Sequence, residues 1–304
     1  MIQFLEHTSI DKKKWDACID RSLNGLVYGC SWYLDLVCPG WNALVQDDYT
    51  SVMPLTAGKK YGTQYLYPPY FAQQLGVFST KKITEEVVHE FFDAIPARYK
   101  FIEICLNTSN TFEFPGYRVK KNINLELSLD ASYEILSSHF SRLTKRNVKK
   151  AIKHKVRLQK NVPVSDLIAI FRKNKGINIS NLKDRHYRTL QQLMEACLQK
   201  GWGESWGAFT PEGKLCAGIF YVIKDNRSIF LFSATDRRAK ENGAMFFLID
   251  DFIRHHAGTK MILDFEGSNL PGVARLYKGF GSEESVYLLV RKNNLPKLVR
   301  WVKG

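Results

Sequence analysis

No apolar run in these 304 residues approaches the ~20 that a membrane-crossing helix requires, so no transmembrane segment is expected. The opening MIQFLEHTSIDKKK places acidic Glu6 where the apolar region of a secretion signal would continue, and no such signal is expected either. The six cysteines, Cys18, Cys30, Cys38, Cys105, Cys197 and Cys216, form no C-x-x-C pair and no cluster with histidines at zinc-ligand spacing. Scattered and mostly in apolar surroundings, they read as reduced core residues of a cytoplasmic protein. His255-His256 follows Arg254 at a helix end, where positive charge complements the dipole. With no further ligand at a suitable spacing, no metal site is expected. No internal repeat is visible at the residue level.

What the chain does have is core material, with 45% hydrophobic and 13% aromatic residues. Its length allows one large domain or two ordinary ones. Charge favours two. Residues 1–130 carry 13 Lys+Arg against 15 Asp+Glu, a net of −2, whereas residues 131–304 carry 31 against 15, a net of +16. The second part is therefore expected to face a polyanion or a phosphate-bearing ligand, with plain solubility as the alternative. A boundary near Asp130 fits the local pattern. Leu125–Leu129 alternates like a half-buried strand, and Asp130 is placed to cap a helix starting at Ala131.

In the first part, helical spacing covers Ile10–Ser22 and Trp32–Val37, the latter ended by Pro39-Gly40. Strand patterns follow at Asn42–Gln46 and Ser51–Thr56 across an Asp47-Asp48 turn. A helix at Val87–Ala94 and a strand at Phe101–Leu106 complete an α/β reading. Between Thr56 and Val87 lies Tyr65-Leu-Tyr-Pro-Pro-Tyr-Phe-Ala-Gln-Gln-Leu-Gly76, where adjacent prolines exclude a regular central strand or helix. Tyr67, Tyr70, Gln73 and Gln74 could form a fixed, amide-lined pocket wall. The alternative is an aromatic loop packed between domains.

In the second part, a helical region from Ser132 carries Leu136, Phe140 and Leu143 on one face. It runs into Ser141–Lys160, which holds nine Lys or Arg and no Asp or Glu. Val148 and Ile152 interrupt this run at helical spacing, so one face is expected to pack. The rest, including Arg142, Lys145, Arg146, Lys149 and Lys150, lacks the acidic partners that ordinary surface helices place at i,i+4. Helical patterns at Asp166–Arg172 and Tyr187–Leu198 lead into three strands, Trp206–Phe209, Leu215–Ile223 and Ser228–Ala234. A loop at Thr235–Ala244 and a helix at Met245–His255 come next. The last motif is Asp264-Phe-Glu-Gly-Ser-Asn-Leu-Pro-Gly-Val-Ala-Arg-Leu-Tyr-Lys-Gly-Phe-Gly281: an apolar strand, Met261–Phe265, meets two carboxylates and a small-residue turn, and a short helix follows.

That motif resembles the last core strand and helix of the GNAT acyltransferase superfamily, in which an Ala-x-x-Leu-Tyr-x-x-x-Gly-Phe pattern is common; the spacing here is shorter. Asp-Phe-Glu-Gly-Ser together with Tyr-Lys-Gly-Phe-Gly is more similar to the Fem-type aminoacyltransferases, which join two GNAT-like domains and build peptide bridges on peptidoglycan precursors. The stretch around Pro68-Pro69 and the basic segment at Arg142–Val156 resemble Fem-type segments as well. The long paired-helix insertion of some Fem-type enzymes has no counterpart. The resemblance implies tandem GNAT-like domains, residues 1–130 and 131–304, each a mixed, mainly antiparallel sheet flanked by helices, with the tail 293–304 able to pack back on the first or to touch anionic lipid headgroups.

It also implies a chemistry, the transfer of an acyl group to an amine. No cofactor is permanently bound, and the co-substrate is aminoacyl-tRNA or acyl-CoA. The acceptor is an amine on a small molecule or peptide, free or lipid-linked, and peripheral membrane contact is compatible with it. In GNAT enzymes the loop before the helix at Met245 binds the acyl-CoA pyrophosphate, which would assign Arg237, Arg238, Lys240 and Gly243 to phosphate; amides at a helix N-terminus suit such a ligand. The segment here, Lys240-Glu-Asn-Gly243-Ala-Met245, ends in Met instead of a small residue and adds acidic Glu241, which favours aminoacyl-tRNA, with the cations of residues 142–150 against its phosphates. An amine of pKa near 10.4 costs roughly 4–5 kcal/mol to deprotonate at pH 7, so a carboxylate base is useful. Glu266 and Asp264 are the candidates, with only one expected to face the site and Asp264 the better anchor for the turn. Tyr277 matches the GNAT tyrosine that often protonates the leaving group, with core packing as its alternative. Ser268, Arg275 and Lys278 are substrate or phosphate contacts. An acyl-CoA-dependent N-acyltransferase, and a non-catalytic scaffold holding RNA or another anion, remain the other readings.

Overall fold

The computed structural model describes residues 1–176, 179, 182–266 and 271–295. It divides into two compact units, residues 1–122 together with the C-terminal segment from Val286, and residues 123–285. Among the described residues no helix is long and apolar enough to cross a membrane. All six cysteines are unbridged.

The first unit contains β1 (Ile2–Leu5), α1 (Lys12–Arg21), α2 (Ser31–Val37), β2 (Asn42–Gln46), β3 (Ser51–Leu55), β4 (Ala57–Lys60), β5 (Thr63–Leu66), β6 (Phe78–Ser79), α3 (Glu85–Asp93) and β7 (Tyr99–Cys105). Its helices begin where side chains satisfy orphan amides: Asp11 accepts the N–H groups of Lys13 and Lys14 at 3.0 and 3.1 Å, and Thr84 caps α3. Strands β1-β2-β3-β6 pair antiparallel in that order. The β4–β5 hairpin meets β7 through a parallel pairing of β5, Gln64 opposite Tyr99. Leu44, Met53, Phe91 and Ile104 centre the core.

The boundary between the units falls within β8 (Arg118–Ser128). The second unit then contains α4 (Tyr133–Ser138), α5 (Arg142–Lys153), β9 (Arg157–Lys160), α6 (Val164–Lys173), α7 (Asp184–Gln199), β10 (Gly203–Phe209), β11 (Leu215–Lys224), β12 (Arg227–Thr235), α8 (Arg237–Asn242), α9 (Ala244–His256), β13 (Ile262–Asp264) and α10 (Pro271–Lys278). The final strand, β14 (Glu283–Asn293), returns to the first unit, where Leu289–Asn293 pair with β7. In the second unit the strand order is β8-β13-β12-β11-β10-β9. Every pairing in that run is antiparallel except β12 with β13. The strands of the second unit thus form one mixed, mainly antiparallel run with a single parallel pair, whereas those of the first unit are divided between two sheets, β1-β2-β3-β6 and the one that holds β4, β5 and β7. The stripe Tyr187, Leu190, Leu193, Met194, Cys197 of α7 is buried, as its spacing predicts.

Three local expectations are corrected. Asp130 does not start a helix at Ala131; α4 begins at Tyr133 after Ser132. The helical region from Ser132 is broken: Ser141 starts a new helix by accepting the Thr144 N–H at 3.1 Å. Leu143 therefore leaves the face of Leu136 and Phe140 and is 40% exposed. On α5 the inward residues are Thr144 and Ala151, while Ile152 is 58% exposed. The periodicity around Val148 located the helix correctly, yet the small residues form the packed face, because α5 lies close against α9.

Candidate active site

The parallel pair β12–β13 organises the second unit's chemistry. Its register runs from Arg227 opposite Ile262 to Ile229 opposite Asp264, and β12 runs on to Thr235 paired with β11 but not with β13. Past Asp264 the two chains part. The floor at that point is aromatic: Phe265 is stacked on Tyr277 with centroids 4.6 Å apart, and Phe230 meets the Tyr277 ring edge-on at 5.4 Å. Tyr277 is 6% exposed. Burial first, and then the nearby negative charge of Glu266, push its phenol well above the ordinary tyrosine range. Tyr277 is thus part of the second unit's core.

Glu266 departs from strand geometry. Side chains two residues apart on a strand share a face, so an unbroken β13 would point Asp264 and Glu266 the same way. Instead Glu266 has φ +58, a left-handed conformation that costs a residue with a Cβ roughly 1–2 kcal/mol. Asp264, 1% exposed, accepts the Glu266 N–H at 2.9 Å and the Asn124 side-chain amide at 3.0 Å on Oδ1. Its Oδ2 accepts from Arg227 at 2.6 Å. Both oxygens are occupied, and Asp264 anchors the turn. Burial pushes its carboxyl up against the opposing pull of Arg227. Arg227 also donates to Glu126 at 2.9 Å, and Asn124 donates to the same carboxylate at 3.0 Å.

Helix α10 carries the remaining motif residues. Lys278 pairs with Glu284, and Arg275 is exposed. The motif glycine Gly279 has a packing reason, since a side chain there would begin 2.5 Å from the Thr144 hydroxyl of α5, and its carbonyl accepts the Ser141 N–H at 2.8 Å. The Tyr-Lys-Gly-Phe motif and the start of the basic helix are thus built against each other. Ser268 lies outside the described residues, as does the tail from residue 296.

Around α5 the charge pattern is as read from the sequence. Arg142, Lys145, Arg146, Lys149 and Lys150 are all exposed. Among the described residues none of them forms an ion pair; Lys145 donates to the Ser138 carbonyl at 2.8 Å. The α8–α9 turn is another matter. Thr235–Ala244 is not an open loop, because Asp236 caps α8 through the Ala239 N–H at 3.1 Å. Arg238 is held by Asp236 at 2.6 Å and by the Leu215 carbonyl at 3.1 Å. Arg237 pairs with Glu241 at 2.9 Å, and Lys240 is exposed. Gly243 has φ +79 and faces the Asn147 backbone carbonyl closely. The Ala244 N–H at the start of α9 already donates to the Asn242 side chain at 2.9 Å. A pyrophosphate here would meet a carbonyl oxygen and a used amide.

The first-unit candidates are also engaged with protein groups. Gln74 is buried, accepts the Thr108 N–H at 3.2 Å and donates to Gln73 at 2.9 Å. Tyr67 donates to the Cys38 sulfur at 3.7 Å. Tyr70 is exposed beside Phe71. The Gln73 and Gln74 amides bond each other, and Gln74 the Thr108 backbone.

Elsewhere in the second unit a cavity of about 350 Å³ is lined by Glu126, His139, Glu283 and Glu284 among others; of its carboxylates, Glu126 is paired with Arg227 and Glu284 with Lys278. Among the described residues no group of three or more His, Cys, Asp or Glu side chains is placed to hold a metal ion. Sequence reasoning missed Arg227, Asn124, Glu126 and Asn147. Only the pairing of β8, β13 and β12 brings Arg227, Asn124 and Glu126 together around Asp264, and only the packing of α5 sets Asn147 against Gly243.

No family model and no curated protein matches this sequence. Solved structures do match in fold. FemX superposes with a TM-score of 0.68 at 14% identity, over 97% of this chain and 99% of that one. L-PGS from Bacillus licheniformis gives 0.56 at 12% identity over 96% and 95%. A tandem GNAT protein from the clavulanic acid biosynthesis pathway gives 0.55 at 11% identity over 98% and 100%. The chain has the Fem-like tandem GNAT fold.

Proposed function

We propose that this protein is an N-acyltransferase that moves an aminoacyl group from aminoacyl-tRNA to an amine of a cell-wall precursor or peptide. The observation that carries the choice of donor is the α8–α9 turn. At the position that binds acyl-CoA pyrophosphate in GNAT enzymes, Asn147 presents a carbonyl to Gly243 and Asn242 takes the Ala244 amide. Beside it, α5 offers a row of cations without acidic partners, suited to a phosphate backbone. The likeness to FemX is consistent with this reading. A cytoplasmic setting, where aminoacyl-tRNA is found, accords with six unbridged cysteines.

In this reaction the acceptor amine attacks the ester carbonyl, a C–N bond forms and the ester C–O bond breaks. Glu266 accepts the amine proton. Tyr277, a phenol and so protonated at neutral pH, donates to the departing ribose oxygen. The Glu266 proton then restores the phenol, which closes the cycle.

The test is a binding titration of the purified protein against CoA, acetyl-CoA and mixed aminoacylated tRNA at two salt concentrations. Salt-sensitive tRNA binding, weakened by charge reversal at Lys145, Arg146 and Lys149, is the expected result. Tight CoA binding with indifference to tRNA would replace the donor with acyl-CoA. Salt-sensitive RNA binding without turnover on any amine would leave a binding scaffold.

A further inference from the structure

Glu266 holds a backbone conformation that its residue type does not favour, φ +58, at the point where β13 has just ended. Something must stabilise it. The groups that do so come from three strands. Asp264 on β13 takes the Glu266 N–H at 2.9 Å. Asp264 sits directly opposite Glu126 of β8 in the sheet register, so two carboxylates face one another in a site where Asp264 is almost wholly buried. Like charges so placed destabilise each other. One nitrogen of Arg227, at the start of β12, bridges the pair at 2.6 and 2.9 Å, and the Asn124 side-chain amide bridges it again at 3.0 Å to each carboxylate.

Without Arg227, the favourable outcomes for Asp264 are to take up a proton or to swing toward water. A neutral carboxyl is a weaker acceptor for the Glu266 amide than a carboxylate, and a rotated one is no acceptor at all. From this arrangement we propose that Arg227 is a positioning residue: it keeps Asp264 in place as the acceptor of the Glu266 N–H and so fixes the left-handed turn that presents the Glu266 carboxylate to Tyr277. Arg227 touches neither Tyr277 nor the reacting atoms in this scheme; it acts through Asp264. The inference rests on the acyl-transfer reading for the role of Glu266, while the placement itself is independent of any reaction.

The experiment compares wild type with Arg227→Gln and, in a second pair, Glu266→Gln with and without Arg227→Gln. Two readouts are taken: hydrogen exchange of the Glu266 amide in the isotopically labelled full chain, and steady-state aminoacyl transfer from charged tRNA to an amine acceptor. The expected result is Glu266 amide exchange faster by about tenfold or more, the loss of one charge-assisted hydrogen bond. A fall in kcat with unchanged KM for the charged tRNA accompanies it, with no further fall when Glu266 is already Gln. Unchanged amide exchange overturns the proposal, and so does a kcat loss of the same factor with and without Glu266.

Should Arg227→Gln fail to fold because buried Asp264 and half-buried Glu126 lose their cation, Asp264→Asn keeps the side-chain shape and leaves Arg227 with Glu126. The same exchange readout then decides. If the wild type transfers nothing from any donor, the function reading falls, and the Glu266 exchange data still judge the positioning on their own.

Discussion

The backbone carbonyl of Asn147 occupies the space beside Gly243 in which a side chain at that position would begin. Helix α5 and the α8–α9 turn therefore touch backbone to backbone. Gly243→Ala meets two obstacles, a left-handed φ of +79 and a carbonyl with nowhere to go. Its expected cost is about 2–4 kcal/mol, read by chemical denaturation. Gly40→Ala is the control, since Gly40 has φ +78 with open space around it, and should cost only about 1 kcal/mol.

Replacing the Tyr277 phenol should separate its two roles. Tyr277→Phe keeps the ring stacked on Phe265, and a stability change within about 1 kcal/mol is expected. If Tyr277 donates the leaving-group proton, kcat falls by about a hundredfold or more. A variant with lowered stability and intact turnover would return Tyr277 to a packing role alone.

The cations of α5 predict a salt slope. Neutralising Lys145, Arg146 and Lys149 with Gln should flatten the dependence of log affinity for tRNA on log salt by about 2–3. The fold should be unaffected, because all three are exposed.

The first turn of the same helix is held by Ser141, whose hydroxyl accepts the Thr144 N–H at 3.1 Å. Ser141→Ala should cost about 1 kcal/mol. Thermal unfolding with intact turnover is the expected profile for a cap.

His256 supplies a pH signature. Its ring lies 4.3 Å from Phe252, and its Nε2 is buried without a hydrogen-bond partner among the described residues. Burial first, then the charges of His255 and Lys160 against the opposing effect of Glu204, depress its pKa from 6.5. The unfolded chain therefore protonates first as pH falls. Stability from this group is complete above about pH 6.5 and declines as pH drops toward the lower folded value. The melting temperature of the wild type should fall across that interval, and His256→Gln should show a shallower decline.

Much of this molecule follows from patterns of short range. The α7 stripe, the strands from Trp206 to Ala234, the cationic run after Ser141 and the Asp264–Gly281 motif are all legible, because each is written in residues a few positions apart whose periodicity or chemistry has one structural solution. The inward face of α5 was not legible in that way. A hydrophobic reading selects Val148 and Ile152, yet close approach to α9 makes Thr144 and Ala151 the buried positions. The candidate site divides similarly. Glu266 and Tyr277 stand in one motif, so both could be named as candidates from the sequence alone. The Arg227 bridge, Asn124 and Glu126 lie on strands far apart in the chain, and only sheet register sets them around Asp264. The same holds for Asn147 against Gly243. Local sequence determined which elements form and which side chains carry charge. The tertiary structure decided which carboxylate is held as an anchor and which groups fill the α8–α9 turn, because burial and hydrogen-bond partners depend on which strands and helices pack together.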